Sequence, residues 1–171
     1  MTTQGFSLRV LAVLLFATVG AANGFAQEVQ EQQQEAQQQH EIEGNAAKFE
    51  EFAAQEGVIK RASGLLIQII TRGEGGIIGP NARAVVNYEG RLADGTVFDS
   101  SYARGRPSTI PVGAVIRGWE EALLLMQIGS KWEIAVPADI AYGKDDQGVI
   151  PPNTNLFFTI ELLGAAGAKY N

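Results

Sequence analysis

The sequence predicts an α+β fold, a curved antiparallel sheet of about five strands wrapped around one short helix, on three observations. Val115–Met126 (VIRGWEEALLLM) sets Trp119, Ala122, Leu123 and Met126 at i, i+3, i+4 and i+7, the apolar face of a helix that Gly118 can open and Gly129 can stop. Strand-like runs lie on both sides of it, and Asp94-Gly95 between two of them is a hairpin turn signal. A helix this short cannot bury its apolar face alone, so a sheet has to cover it.

Taken in order, the chain begins with Arg9 and an apolar run from Val10 to Ala22, followed by small residues up to Ala26. About thirteen apolar residues are too few to span a bilayer and suit the core of an export signal. Residues 1–26 are therefore expected to be a signal peptide cut after Ala26 or after Ala22, with a membrane anchor as the alternative. Residues 27–44 are rich in Gln and Glu and carry no apolar stripe, which predicts a solvated helix or a disordered tether without a coiled-coil seam. Phe49, Phe52 and Ala53 return to helical spacing, so residues 45–57 are expected to hold a separate short amphipathic helix ended by Gly57.

The domain proper is expected over 58–171. Its strands are predicted at Leu65–Thr71, Ala82–Leu92, Val97–Asp99, around Ser108–Val112, at Lys131–Val136 and at Asn155–Leu163, mostly joined by hairpins and hence antiparallel. Gly73–Gly79 lacks both the GxGxxG and the GK[ST] spacing and leads into a strand, so it reads as a plain loop and not a phosphate cradle. Asp145 and Asp146 lack the alternating oxygen spacing of a calcium loop and are expected to be solvated.

Charge and composition exclude several chemistries. The net charge of -6 is localised: residues 27–57 hold eight Glu against one Lys, whereas residues 58–171 hold eleven basic and eleven acidic side chains. A neutral domain offers no basic stripe to nucleic acid, so no nucleic-acid partner is expected. With no Cys and one His, His40 in the tether, neither a metal site nor a His-based triad can be assembled, and no cofactor is expected.

A half-barrel over a helix leaves a concave mouth where Tyr88, Phe98, Asp99, Val115, Ile116, Trp119, Tyr142, Ile150 and Phe158 can converge. This set is aromatic, with one acid and two phenols, and has no nucleophile–base pair and no paired carboxylates. Asp99, an acid beside a buried aromatic, has two candidate roles: pairing with Arg104 five residues on, or capping the turn at Ser100 and Ser101.

Tyr88-Glu89-Gly90, Asp94-Gly95, Phe98-Asp99-Ser100-Ser101, Val115-Ile116-Arg117-Gly118-Trp119-Glu120-Glu121, Ala141-Tyr142-Gly143, Ile150-Pro151-Pro152 and Phe158-Thr159-Ile160-Glu161-Leu162 follow one another in an order and spacing that resembles the FKBP family of peptidyl-prolyl cis–trans isomerases. The resemblance covers about residues 60–165. Glu56-Gly57-Val58 and Ser63-Gly64-Leu65 resemble the secreted bacterial members of the macrophage infectivity potentiator type. It implies a prolyl pocket walled by Tyr88, Phe98, Val115, Ile116, Tyr142 and Phe158 over a Trp119 floor, with Ile150 among the substrate-binding residues. Asp99 would sit at the rim near the twisting amide, and the Tyr142 hydroxyl and Ile116 amide would hold the substrate backbone. The implied partners are proline-containing polypeptides and macrolides, and the implied setting is the bacterial periplasm or exterior. Ile110, where bacterial members usually carry an aromatic, and the short loop 144–149 depart from the pattern at the rim. The helical dimerisation domain of the infectivity potentiators is much longer than the N-terminal segment, so a monomer is expected. A binding or chaperone module using the same pocket without turnover is the competing reading; the presence of both Asp99 and Tyr142 favours the enzyme.

Overall fold

The computed structural model describes residues 22–166, with side chains from residue 27 onward. The expected export signal lies outside the described residues up to position 21. No helix among the described residues is long and apolar enough to cross a membrane. Residues up to Gln39 and residues from His40 onward are two separate units.

Helix α1 (Ala22–Ala53) runs through what the sequence suggested as a tether followed by a separate helix. Gln, Glu and Ala are good helix formers, and Gly44, which costs roughly 0.5–1 kcal/mol in a helix interior, does not break the run. Side chains 27–44 are exposed throughout, as expected for a solvated helix. The helix stops at Ala53, and Gly57, at φ 82°, belongs to the turn that follows.

Seven strands follow, where the sequence suggested about five: β1 (Ile59–Lys60), β2 (Leu66–Thr71), β3 (Arg83–Arg91), β4 (Val97–Ser100), β5 (Ser108–Pro111), β6 (Lys131–Val136) and β7 (Leu156–Ala166). They form one sheet in the order β1-β2-β6-β7-β3-β4, with β5 beside β3. Every pairing is antiparallel, but hairpins are not the main reason. The pairs β2–β6, β3–β7 and β3–β5 join strands distant in sequence. The outer edge of β3 is shared: β5 takes Arg83–Val86 and β4 takes Glu89–Arg91. Register shifts at Ile69/Thr71, Val85/Val86 and Gly90/Arg91 bend the sheet.

The sheet packs on both faces, and the alternation of side chains decides which residue goes where. On the concave face Ile67, Val86, Ile134, Val136, Leu156 and Ile160 are buried against α2 (Arg117–Leu125), whose Trp119, Ala122 and Leu123 supply the predicted apolar face. Met126 is also buried, although it lies just past the helix in an extended conformation. Gly129 therefore does not stop the helix; at φ 90° it forms the Gln127–Ser130 turn into β6. Gly118 is required inside α2, because a Cβ there would come within 2.5 Å of Val136. On the other face Leu66, Ala135 and Phe157 lie side by side in register and seat Phe52 of α1, with the Phe52 and Phe157 rings 6.2 Å apart.

Candidate active site

The site lies where the N-terminus of α2 faces the sheet. Trp119 is the first residue of the predicted apolar stripe, and packing under β3 and β7 turns its indole upward beneath two rings. Tyr88 meets it edge-on at 5.1 Å and Phe158 at 5.3 Å, and Phe98 stands edge-on to Phe158 at 5.6 Å. Edge-to-face contacts of this kind contribute about 0.5–1.5 kcal/mol each beyond their burial. Gly90, opposite Phe158 in the β3–β7 register, lets the rings close, since a Cβ there would lie 2.6 Å from Phe98 and 2.8 Å from Phe158. The indole N–H of Trp119 is buried without a hydrogen-bond partner among the described residues.

Above these rings is a cavity of about 390 Å³. Tyr88, Phe98, Asp99, Val115, Ile116, Trp119, Tyr142 and Phe158 line it together, eight of the nine residues named from the sequence. Ile150 does not: it is 6% exposed and belongs to the main core. The sequence could not give its direction, because that depends on how the loop before β7 folds back. Two lining residues were absent from the sequence-derived set, Ile110 of β5, noted there only as a departure at the rim, and Ala114 in the 3-10 turn Val112–Ala114. Alternation along β5 carried a signal for Ile110; a single alanine in a turn carries none.

Asp99 is not a buried acid, as its side chain is 42% exposed. Of the two candidate roles, it takes the pairing. Arg104 Nη1 donates to Asp99 Oδ1, and the Tyr88 hydroxyl donates to Asp99 Oδ2. Arg104 Nη2 donates to the Tyr88 oxygen at 2.9 Å and to Ser108 Oγ at 3.1 Å, and the guanidinium carbon lies 5.4 Å from the Tyr88 ring centre. In the turn itself Ser100 Oγ accepts from the Ala103 amide, and Ser101 Oγ accepts from the Tyr88 amide, which ties the turn to β3. Burial pushes the Asp99 carboxyl up, but the hydrogen bonds from Tyr88 and Arg104 and the Arg104 charge outweigh it and hold it below 3.8. Burial and the bond to Asp99 raise the Tyr88 phenol above 10.0, against the lowering effect of Arg104.

Two donors at the mouth are unused. Tyr142, 38% exposed, follows the 3-10 turn Ala138–Ile140, and no group among the described residues accepts from its hydroxyl. The Ile116 amide, just before α2, likewise has no intramolecular acceptor among them, while the Ile116 carbonyl receives the first helical N–H bonds, from Trp119 and Glu120. The lining contains no Ser, Lys or His and no nucleophile–base pair, and its one carboxylate, Asp99, is engaged by Tyr88 and Arg104, so the cavity suits desolvating a guest more than covalent attack on it.

The model of the FKBP-type peptidyl-prolyl cis-trans isomerase family matches residues 76–163. An FKBP-type 22 kDa peptidyl-prolyl cis-trans isomerase of Escherichia coli is 52% identical over 116 residues, covering 67% of this chain and 56% of that protein. The isomerase Mip of Coxiella burnetii is 49% identical over 108 residues, 63% of this chain and 47% of that one. The chain thus spans about half the length of these curated relatives. The crystal structure of FkpA from Escherichia coli superposes with a TM-score of 0.72 at 34% identity, covering 88% of this chain and 72% of that chain.

The ion pair at the rim makes a testable prediction. A depressed carboxyl contributes stability that is present above its unfolded value and lost as pH falls through the lower folded one. Replacing the guanidinium, Arg104→Leu, should move the Asp99 carboxyl titration to higher pH in carbon-detected NMR. An unmoved titration would mean that Tyr88 alone holds the charge.

Proposed function

The chain belongs to the FKBP-type peptidyl-prolyl cis-trans isomerase family, and on that premise we propose that it accelerates rotation about X–Pro bonds in exported polypeptides. The observation that carries the proposal is an aromatic cavity with two unused donors and no nucleophile–base pair at its mouth. Rotation about a peptide bond faces ~18–20 kcal/mol because amide resonance is lost at the twisted midpoint. An X–Pro bond left alone exchanges over tens to hundreds of seconds. No covalent step is needed. The planar amide is the more polar state, so transfer from water to an apolar cavity favours the twisted one, and donors placed for the twisted geometry add to it selectively.

In this proposal the prolyl ring rests on Trp119 between Tyr88 and Phe158, with Phe98, Val115 and Ile116 as walls. The Tyr142 hydroxyl and Ile116 amide donate to the substrate backbone. Asp99, at the rim, holds Tyr88 in place and supplies local charge beside the rotating bond, a charge that Arg104 partly offsets. Macrolides of the kind the family binds would compete for the same cavity. The apolar run before Gln27 makes the protein an exported one in this reading, and the exposed, stripe-free helix 27–44 makes it a monomer. Mass spectrometry and sedimentation of exported protein should find a single chain starting near Gln27 or Asn23. An intact Met1 in the membrane fraction would favour an anchor.

A protease-coupled or refolding-coupled assay with the exported form should show accelerated isomerisation that a macrolide abolishes; no acceleration would refute the proposal. In the same assay Tyr142→Phe should weaken peptide and macrolide binding by one hydrogen bond, ~0.5–1.5 kcal/mol. Asp99→Asn should lower kcat/KM while the fold survives. If Asp99→Asn leaves the rate unchanged and Tyr142→Phe abolishes binding, the charge at position 99 has no catalytic part.

A further inference from the structure

We propose that Asn45, on α1 and outside the pocket, is a positioning residue for Tyr142. This rests on the reading of Tyr142 as a donor to substrate. Asn45 is 8% exposed, and a buried amide is costly unless its hydrogen bonds are met. Both are met by one residue 110 positions away: Asn45 Nδ2 donates to the Asn155 carbonyl at 2.9 Å, and the Asn155 amide donates to Asn45 Oδ1 at 2.9 Å. The side chain of Asn45 thus pairs with the backbone of Asn155 much as a neighbouring strand would, just before β7 begins.

From Asn155 the connection runs directly to the segment that carries Tyr142. Asn155 Oδ1 accepts from the Ala138 amide at 3.0 Å. The Ala138 carbonyl accepts from Ala141 and from Gly143, both at 2.9 Å, so the backbone on either side of Tyr142 hangs from residue 138. The Gly143 carbonyl in turn accepts from the Asn153 amide at 2.6 Å, closing the loop on itself. Residues 144–149 are all exposed and offer no packing that could fix the loop from outside. Tyr142 is exposed too, so its position at the mouth is set by its flanking backbone, which this frame holds together with the buried Ile140 and the 2.6 Å bond from Arg117 Nη2 to the Asp139 carbonyl. Docking of α1 alone would not require an amide at position 45, since Phe49, Phe52 and Ala53 already supply apolar contact. The amide is needed because the Asn155 backbone N–H and C=O have no other partner among the described residues.

The test uses the full chain with Asn45→Ala, and with Asn155→Ala as a second cut that leaves the helix side chain intact. Each should raise KM for a proline peptide about three- to tenfold with kcat little changed, the effect of a mispositioned single hydrogen bond. Amide hydrogen exchange at Ala141 and Gly143 should quicken in both. In a Tyr142→Phe background Asn45→Ala should leave KM where Tyr142→Phe alone put it, whereas independent effects would multiply. A lowered melting temperature with KM and exchange at Gly143 both unchanged would make Asn45 structural only and overturn the proposal. If the unaltered protein turns over no proline peptide, the isomerase reading falls, and the exchange measurement still decides about Asn45: unchanged exchange at Gly143 overturns it.

Discussion

The edge-on contacts of Tyr88 and Phe158 with Trp119 are the constraint on which the rest of the structure depends. They require α2 to lie under adjacent strands β3 and β7, although these are far apart in sequence, and they require the β3–β7 register that sets Gly90 opposite Phe158. A register slip of one residue would turn Tyr88 and Phe158 to the opposite face and bring Asn87 and Phe157 inward. Gly90 and Gly118 are the two points where backbone comes so close to this cluster or to its supporting helix that no Cβ fits. The Trp119 N–H stays buried and unpaired among the described residues, a cost of about 1–3 kcal/mol that ring packing has to offset.

The polar groups around the cavity divide into two kinds. Asp99, Arg104, Tyr88 and Ser108 are committed to one another and hold the rim in shape. The Tyr142 hydroxyl and Ile116 amide have no acceptor among the described residues, and in the proposed function they donate to the substrate. A pocket so divided suits a reaction in which no bond is made or broken. Rigid apolar walls supply desolvation, and each ~1.4 kcal/mol by which the twisted amide is preferred adds a factor of ten in rate.

Much of this was legible in the sequence, for physical reasons that also explain what was not. The face of α2 could be read because four apolar residues recur at helical spacing, and β3 because strict alternation over nine residues has one structural solution. The two-residue strand β1 is too short to show a period. The continuity of α1 was hidden because a polar helix and a polar tether have the same composition. Six of the eight pocket residues are aromatic or acidic side chains that stand out in the sequence, and Val115 and Ile116 immediately precede the helix that carries Trp119, while Ile150 could be assigned to core or cavity only by tertiary contacts. Asn45 was the least legible of all: inside a run of exposed Gln and Glu an asparagine reads as one more solvated residue, and its partner lies 110 positions away.

That the cavity works by surrounding the amide and not by moving protons is tested most directly by the pH dependence of kcat/KM for a proline peptide. The Asp99 carboxyl is held below the usual carboxylate range and the Tyr88 phenol is raised above its usual range, so neither changes charge in the neutral range, and the lining holds no histidine. The rate should therefore be flat from about pH 5 to about pH 9 and nearly the same in heavy water. A bell-shaped profile in that range, or a rate that falls severalfold in heavy water, would mean that a proton is transferred in the rate-limiting step and would contradict catalysis by environment alone.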